Sequence, residues 1–273
     1  DEVAKLVEKG KKQFVGPEVR GKTLGVIGLG AIGAIVANAA AQGLGMNVEG
    51  YDPFISVESA WSLSRSIKRF NNMDDAYAQS DYITMHVPLT DNTRHMINAD
   101  AIARMKQGVH ILNFSRGDLV EPKAMIAALE SGKVAGYVTD FPCDEMIGVK
   151  NAIMIPHLGA STPESEENCA SMAAQELRNY LENGQIQNSV NLPDIMLGFG
   201  EGTRVQIIHD NVPNIISSIA SAISAKQINI DNMLNKSRKE VAVTVMELDS
   251  HPDDEVLDEI RALPGIIRVR VFR

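Results

Sequence analysis

Apolar residues in the first half of the chain fall in short runs that alternate with longer stretches of helical periodicity. Six runs between residues 22 and 157 are rich in Val, Ile, Thr and aromatic residues, too short for helices and bounded by Gly, Asp or Pro. Strands that are apolar almost throughout and alternate with helices are typical of a parallel sheet covered on both faces. The pattern therefore predicts an α/β fold built on a doubly wound parallel sheet. The runs are TLGVIGLG, MNVEGYD, DYITMHVP, GVHILNFS, VAGYVTDF and AIMIPH.

A different pattern follows this region. A Ser-Thr-Pro triplet at 161–163 predicts the start of a helix that ends at Gly184. The segment 185–202 carries Pro, Asn and Gly with little periodicity, which is typical of a linker. Residues 203–273 then show the order strand, helix, strand, strand, helix, strand. This order predicts a second domain on the ferredoxin-like βαββαβ plan.

Composition narrows the class of protein. The length of 273 residues is enough for two packed units, and 44% hydrophobic with 22% charged residues predicts an ordinary soluble globular protein. A formal charge of −9 argues against a nucleic-acid partner. Since no apolar run approaches the ~20 residues that cross a bilayer, no membrane association is expected. Two cysteines, Cys143 and Cys169, are too few for a disulfide framework or a zinc site, so we expect reduced thiols in a protein of the cytoplasm, and no metal.

A glycine motif follows the first predicted strand. Gly28, Gly30 and Gly33 form the pattern G-x-G-x-x-G between TLGVI and a helix. In this context the first glycine permits a tight turn, the second lets the backbone approach a pyrophosphate, and the third allows close packing of helix and strand. The helix N-terminus offers N–H groups and a positive dipole to the phosphates. The sequence therefore predicts a Rossmann-like dinucleotide-binding domain.

Asp52 ends the second predicted strand, nineteen residues beyond Gly33. A carboxylate at this place suits the hydroxyl groups of a ribose and repels a 2′-phosphate, so the predicted cofactor is NAD rather than NADP. The alternative interpretation is that Asp52 only starts a turn with the proline that follows it.

Three ionisable residues follow predicted strands, at the edge where such sheets bind their ligands. They are Arg116, Glu145 and His157. A guanidinium can hold the carboxylate of a 2-hydroxy acid with two hydrogen bonds. A histidine can accept the hydroxyl proton as the carbon is oxidised, and a carboxylate beside it stabilises its charged form. Taken singly, each residue has a simpler interpretation as a surface charge, an exposed acidic loop or a cap.

Four segments together resemble the D-isomer-specific 2-hydroxyacid dehydrogenases. They are GKTLGVIGLGAIG, ITMHVPLTDNTRHMIN, NFSRGDLVE and PHLGAST, and the resemblance covers the whole chain. It implies an enzyme that transfers hydride between C2 of a 2-hydroxy acid and NAD. Arg116 would hold the substrate carboxylate, His157 would move the proton, and Glu145 would support the imidazolium. The loop between Glu145 and His157 is shorter than in many members of the family.

The resemblance also implies which residues contact the cofactor. They lie in the glycine motif, at the end of the second strand and in the loops after the later strands. The implied set is Gly28, Gly30, Ala31, Ile32, Gly33, Asp52, Val87, Pro88, Phe114, Ser115, Arg116, Asp140, His157, Gly159 and Ala160.

The predicted βαββαβ unit resembles an ACT domain, a small module that often binds amino acids at a paired interface. Within the dehydrogenase family this addition favours the subgroup that oxidises D-3-phosphoglycerate in serine biosynthesis, with L-serine as a feedback effector. His209, Asn211 and Asn229 match the serine-contacting positions of that subgroup. The alternative is that they only form turns or caps. Apolar strands at a sheet edge favour pairing with a second copy, so we expect a homo-oligomer, dimer or tetramer.

The chain opens with Asp1 inside a helical pattern, whereas complete members of the family begin with further residues, so we expect an N-terminal segment to be missing. The alternative functions are another D-2-hydroxyacid dehydrogenase, or a non-catalytic sensor of NADH or an amino acid.

These inferences divide the chain into five parts. The expected parts are the end of a substrate domain (1–13), an NAD-binding domain (14–160), a return helix (161–184), a linker (185–202) and an ACT domain (203–273).

Overall fold

The computed structural model describes residues 2–198, 200 and 202–272. The chain divides into two compact units, Asp1–Leu158 and Gly159–Arg273. The division falls close to residue 160, where the sequence predicted the NAD-binding domain to end. The expected return helix and linker belong to the second unit, although residues 199 and 201 of that linker lie outside the described residues.

The first unit contains, within its described residues, one parallel sheet of seven strands. The strands are β1 (Thr23–Ile27), β2 (Asn47–Tyr51), β3 (Lys68–Arg69), β4 (Tyr82–Met85), β5 (Val109–Asn113), β6 (Val134–Thr139) and β7 (Ala152–Met154). Across the sheet they lie in the order β3-β2-β1-β4-β5-β6-β7, and each neighbouring pair is parallel. The doubly wound parallel sheet is therefore confirmed. The sequence pattern missed only β3, because Lys68 and Arg69 form no apolar run.

The described part of the first unit contains six α-helices, of which the first precedes β1 and the others lie between strands. They are α1 (Glu2–Gly10), α2 (Ala31–Gly43), α3 (Val57–Ser62), α4 (Met73–Gln79), α5 (Ala99–Arg104) and α6 (Pro122–Glu130). Three of them start at a polar cap whose side chain accepts a backbone N–H of the first turn: Ser56, Asn72 and Asn98. Among the described residues, no helix is both long and apolar enough to pass through a lipid bilayer.

The core of the first unit fixes the carboxyl ends of the central strands. Ile83 and Met85 of β4 and Ile111 of β5 are fully buried in one apolar cluster with α5 and α6. Close packing on this scale holds the backbone of each strand in place. The polar residues that follow β4 and β5 therefore start from rigid positions.

The second unit contains an antiparallel sheet. Its elements are α7 (Pro163–Asn183), β8 (Thr203–Asp210), α8 (Ile215–Ser224), β9 (Ile230–Arg238), β10 (Val241–Leu248), α9 (Asp254–Ala262) and β11 (Ile266–Phe272). The strands lie in the order β11-β8-β10-β9. This order with the sequence βαββαβ is the ferredoxin-like plan that the pattern predicted.

Both faces of this sheet are covered. α8 and α9 cover one face, where Ile207, Ile219 and Val256 are almost fully buried. Ile186 and Ile195 lie in a second cluster with Ile208 of β8 and Val243 of β10, and they form an isolated bridge with each other. The segment expected to be a linker thus packs against the sheet. Its few apolar residues are spaced too irregularly for the sequence pattern to reveal this.

Candidate functional site

The glycine motif forms the turn between β1 and α2. Gly28 has φ of +89°, and a Cβ there would lie 2.6 Å from the carbonyl oxygen of His86. A Cβ on Gly33 would lie 2.0 Å from the carbonyl oxygen of Gly28. Both positions therefore require glycine, the first for the turn and the second for close packing of the helix on the loop.

The N-terminus of α2 has the character of a phosphate site. Gly30 is the N-cap and gives no side-chain cap to the helix, so the N–H groups of Ala31 and Ile32 lie at an uncapped end. A Cβ on Gly30 would meet no described atom within 4 Å, so only this glycine of the three is not explained by packing within the chain. A helix end with free N–H groups and no side chain in front of it fits a pyrophosphate.

Asp52 links the glycine turn to the end of β2. Its Oδ2 accepts the Leu29 N–H at 2.8 Å, and its Oδ1 accepts the Phe54 N–H at 2.8 Å. The second bond is the turn that was the simpler interpretation, and the contact of Asp52 with a ribose stays a prediction. Because an ionised carboxylate has about four acceptor positions, two remain for ribose hydroxyl groups.

Asn113 joins the loops that follow β4 and β5. Its side chain is fully buried, donates to the Arg116 carbonyl at 2.9 Å and accepts the Ser115 N–H at 3.2 Å. The Ser115 hydroxyl in turn donates to the Val87 carbonyl at 2.7 Å. These bonds fix two loops that the resemblance assigns to cofactor contact, including Pro88 and Phe114. Sequence reasoning did not single out Asn113, although a polar residue at the end of a buried strand was a usable signal.

Arg116 and His157 line one cleft of about 530 Å³ at the carboxyl edge of the parallel sheet. Asp140, Phe141 and Tyr137 line the same cleft. Burial raises the pKa of the Tyr137 phenol. The cleft thus combines a guanidinium, an imidazole and a carboxylate, which is the set that oxidation of a 2-hydroxy acid needs.

Asp140 is the carboxylate that faces His157. The His157 Nε2 and the Asp140 Oδ2 are 4.0 Å apart, and within the described chain this is the ion pair of His157. Asp140 is only 6% exposed, and its Oδ1 is buried without a hydrogen-bond partner among the described residues. A buried acceptor without a donor is costly and fits a ligand or cofactor that supplies one.

Glu145 lies outside this arrangement. It belongs to a 3₁₀-helix, Asp144–Met146, and its side chain is exposed. The carboxylate lies beside the Cys143 thiol, and burial together with this carboxylate raises the pKa of Cys143. Glu145 forms no ion pair with His157 in the described part of the chain. Its assignment as the partner of His157 stays a prediction from the resemblance.

Gly159 and Ala160 belong to the second unit and are exposed. Their contact with a cofactor also stays a prediction.

In the second unit, His209 is almost fully buried. Its Nδ1 donates to the Asp210 carbonyl at 2.7 Å, and its Nε2 lies 2.9 Å from the Thr244 hydroxyl, which donates to Asn235. Both ring nitrogens are therefore engaged inside the chain. The structure gives His209 a structural role in addition to the effector role that the sequence suggested.

Asn211 and Asn229 are exposed at opposite ends of the second sheet. Asn211 follows β8, where Asp210 pairs with Val241, whereas Asn229 precedes β9, whose first residue pairs with Leu248 at the far end of β10. A strand as long as the 8-residue β8 spans about 25 Å at about 3.3 Å per residue. One chain therefore does not bring the two asparagines together.

The first unit is a dinucleotide-binding domain by its strand order, glycine turn, uncapped helix end and Asp52. A profile of the family described as D-isomer specific 2-hydroxyacid dehydrogenase, NAD binding domain, matches residues 2–159. The chain belongs to this family, and NAD is its cofactor.

Relatives and solved structures extend the comparison. A D-3-phosphoglycerate dehydrogenase of Haemophilus influenzae is 32% identical over 93% of this chain and 64% of its own length. One from Synechocystis is 38% identical over 68% of this chain and 34% of its own length. The crystal structure of Aquifex aeolicus D-lactate dehydrogenase with NAD and lactic acid is 27% identical, with a TM-score of 0.53, over 65% of this chain and 61% of that one. The chain thus spans less than two thirds of each of these proteins.

Proposed function

We propose that this protein catalyses the NAD-dependent oxidation of D-3-phosphoglycerate to 3-phosphohydroxypyruvate, the first step of L-serine biosynthesis. The observation that supports this chemistry is the cleft at the carboxyl edge of the NAD-binding sheet, which both Arg116 and His157 line. The choice of substrate rests on relatives that carry this name and match the second unit as well as the first.

Arg116 binds the substrate carboxylate in this proposal. One of its terminal nitrogens, Nη1, donates to the Ser115 carbonyl at 2.6 Å, and this bond fixes the orientation of the guanidinium. The remaining N–H groups can form two parallel hydrogen bonds to a carboxylate. This contact fixes C2 of the substrate relative to His157.

His157 accepts the proton of the C2 hydroxyl in the direction of oxidation. Its side chain is 59% exposed, so a hydroxyl can reach the ring from the cleft. Bound NAD supplies the hydride acceptor. The glycine turn, the N-terminus of α2 and Asp52 would hold its pyrophosphate and ribose, and the loops with Val87 and Ser115 would contact the nicotinamide side.

We further propose that residues 203–273 of the second unit form an ACT domain, which binds L-serine between two copies of the chain. The supporting observation is the separation of Asn211 from Asn229, which are at opposite ends of one sheet. β9 begins directly after Asn229 and is an edge strand of the sheet. Antiparallel pairing of β9 with the β9 strand of a second copy would bring each Asn229 to the end of the other copy's sheet that carries Asn211. A homodimer is the smallest assembly that completes this site.

The test follows the loss of NADH absorbance with 3-phosphohydroxypyruvate, with and without L-serine. The 273-residue chain and any longer product of its gene are both assayed, with His157→Ala as control. Turnover that serine suppresses and that His157→Ala abolishes supports the whole proposal. Turnover only with another 2-oxo acid would favour a different D-2-hydroxyacid dehydrogenase. NADH binding without any turnover would favour a sensor.

A further inference from the structure

The cleft that Arg116 and His157 line also contains acidic side chains. Asp118 and Asp140 line it as well, so the described lining holds two carboxylates against one guanidinium. We propose that Arg94, by pairing with Asp118, compensates one of these negative charges and so allows the cleft to bind an anionic substrate. The proposal rests on the proposed dehydrogenase function and names a residue that sets the affinity of that site for its substrate.

The charge of the substrate makes this balance important. A 2-hydroxy acid carries one carboxylate, and a phosphate group adds about two further negative charges near neutral pH. In a cleft with an excess of carboxylates, like charges oppose the binding of such an anion. The formal charge of the whole chain is −9, so its overall field does not offset this repulsion. A cation paired with one of the acids reduces it.

Arg94 and Asp118 come from neighbouring loops at the carboxyl edge of the parallel sheet. Arg94 lies in the turn between β4 and α5, and Asp118 lies in a 3₁₀-helix, Gly117–Leu119, that follows β5. The Nη1 of Arg94 contacts the Oδ2 of Asp118 as an ion pair. The two side chains are 51% and 55% exposed, and an ion pair with this exposure adds little to stability. Its main consequence is therefore the charge that it leaves at the cleft.

Backbone hydrogen bonds hold the two loops together independently of this ion pair. The His95 N–H donates to the Asp118 carbonyl at 2.8 Å, and the Ile97 N–H donates to the Leu119 carbonyl at 3.0 Å. The loops thus continue the parallel pairing of β4 and β5 beyond the ends of these strands. A substitution of Arg94 that removes only its charge should leave the backbone of both loops in place.

Asp118 is close in the chain to the group that binds the substrate carboxylate in the proposed function. It follows Arg116 by two residues, yet within the described chain its ion pair is with Arg94 and not with Arg116. Loss of Arg94 would leave a carboxylate at the cleft that either repels the substrate or pairs with the Arg116 guanidinium. Both outcomes weaken the binding of an anion.

The test removes each charge of the pair without changing the size of the side chain much. The variants are Arg94→Gln, Asp118→Asn and the two combined, with Arg94→Lys as the variant that keeps the charge. Arg104→Gln is the matched control, because Arg104 pairs with Asp74 at similar exposures of 49% and 65%, and neither lines the cleft. For each protein we would measure kcat, KM for 3-phosphohydroxypyruvate and the NADH dissociation constant, at low and high salt.

We expect Arg94→Gln to raise KM about 5- to 10-fold at low ionic strength, as an uncompensated charge near a surface site does. Screening should reduce this change to about twofold in about 0.5 M NaCl. Asp118→Asn should lower KM about two- to threefold, and the double variant should lie within about twofold of wild type. Arg94→Lys and Arg104→Gln should change KM less than about twofold, and no variant should change kcat or the NADH dissociation constant more than that.

A purely structural role of the pair would give a different pattern. Asp118→Asn would then raise KM as much as Arg94→Gln does, and the double variant would be no better than either. That result overturns the proposal, and so does a loss in Arg94→Gln that high salt does not reduce.

A binding measurement separates this proposal from the proposed function. Oxalate, a dianion with the carboxylate group of the substrate class, is titrated into the protein with bound NADH, and isothermal titration calorimetry gives its dissociation constant. Arg94→Gln should weaken oxalate binding and the double variant should restore it, whether or not any 2-oxo acid is turned over. This pattern in a protein without turnover would refute the proposed function alone. A wild type that binds no oxalate, or a double variant that does not restore binding, would refute the role of Arg94.

Discussion

The two units differ in how far their buried polar side chains are hydrogen-bonded. In the second unit Arg204 and Glu247 are 4% and 6% exposed and form an ion pair with each other. Arg204 also donates to backbone carbonyls of the preceding segment, including that of Asn183 at 3.1 Å. In the first unit Asp140 is equally buried but accepts no hydrogen bond from the described residues. The same degree of burial therefore accompanies a completed network in one unit and an incomplete one in the other.

This difference separates structural from functional polar groups. A buried network with every partner in place holds chain segments together, whereas a buried acceptor that lacks a donor within the chain is suited to a ligand. Gln206 is an exception in the second unit, because its Oε1 has no partner in the described part of the chain while its Nε2 donates to the Gly184 carbonyl.

The first prediction concerns the ion pair of the second unit. Arg204→Met leaves Glu247 buried without its cation and should lower the free energy of unfolding of this unit by about 3–5 kcal/mol. Urea titration, with hydrogen exchange of β8 and β10 to assign the transition, measures the change. The double variant Arg204→Met with Glu247→Met is the matched control and should regain the part of the loss that comes from the unpaired carboxylate, whereas the carbonyls of Asn183, Leu197 and Gly198 still lack the Arg204 donor. A single variant within about 1 kcal/mol of wild type would contradict a structural role for the pair.

The second prediction concerns the acceptor positions of Asp52 that no group of the described chain uses. Asp52→Asn removes the negative charge that strengthens hydrogen bonds to the carboxylate, including those expected from the ribose hydroxyl groups. NADH affinity should therefore fall about 10- to 30-fold. Fluorescence titration with NADH measures it. Asp81→Asn is the control, because Asp81 accepts the Thr23 N–H at 2.8 Å at the other end of β1. Equal losses of NADH affinity in both variants would show a general effect on the sheet instead of a contact with cofactor.

Sequence reasoning succeeded where a backbone pattern carries the information. The glycine turn, the strands on either side of it and the place of Asp52 follow from spacing alone, because their geometry is local. The ends of α7 were equally clear. Thr162 accepts the Ser165 N–H as its cap, and Gly184 adopts φ of +68° after its last turn. Both residue types have conformational preferences that a sequence shows directly.

The sequence was less informative where side-chain direction depends on packing. Glu145 is the glutamate that the resemblance assigns to His157, yet burial of Met146 turns it away from the cleft. Asp140 was assigned only to the cofactor, since its distance from His157 depends on how β6 and β7 pair. The packing of Ile186 and Ile195 on the second sheet was also missed, because no periodic pattern marks it.

The third prediction tests whether His209 belongs to the completed network of the second unit. His209→Ala removes one of the two partners of the buried Thr244 hydroxyl and the ring that donates to the Asp210 carbonyl, so this unit should lose about 1–2 kcal/mol of unfolding free energy. Asn211→Ala, at an exposed position two residues away, should change it by less than about 0.5 kcal/mol. Urea unfolding of both variants makes the comparison. A neutral His209→Ala would mean that the histidine is available to an effector at no structural cost.

The fourth and smallest effect is a pH dependence of the first unit. Burial lowers the pKa of His86 and of His110. Below about pH 6.5 the unfolded chain therefore binds more protons than the folded one. The contribution of each histidine to the free energy of unfolding is complete above that pH. It is lost as the pH falls through the lower pKa that the histidine has in the folded protein. Because both side chains are partly exposed, the loss should be only a few tenths of a kcal/mol each.

The measurement compares unfolding of the first unit at about pH 7.5 and about pH 5.5, on either side of the ordinary histidine pKa. Hydrogen exchange of β4 and β5 reports this unit, and the variant His86→Asn with His110→Asn removes both titrations. The wild type should lose more stability than the variant on acidification, by about 0.5 kcal/mol. Equal losses would mean that the protons bind elsewhere.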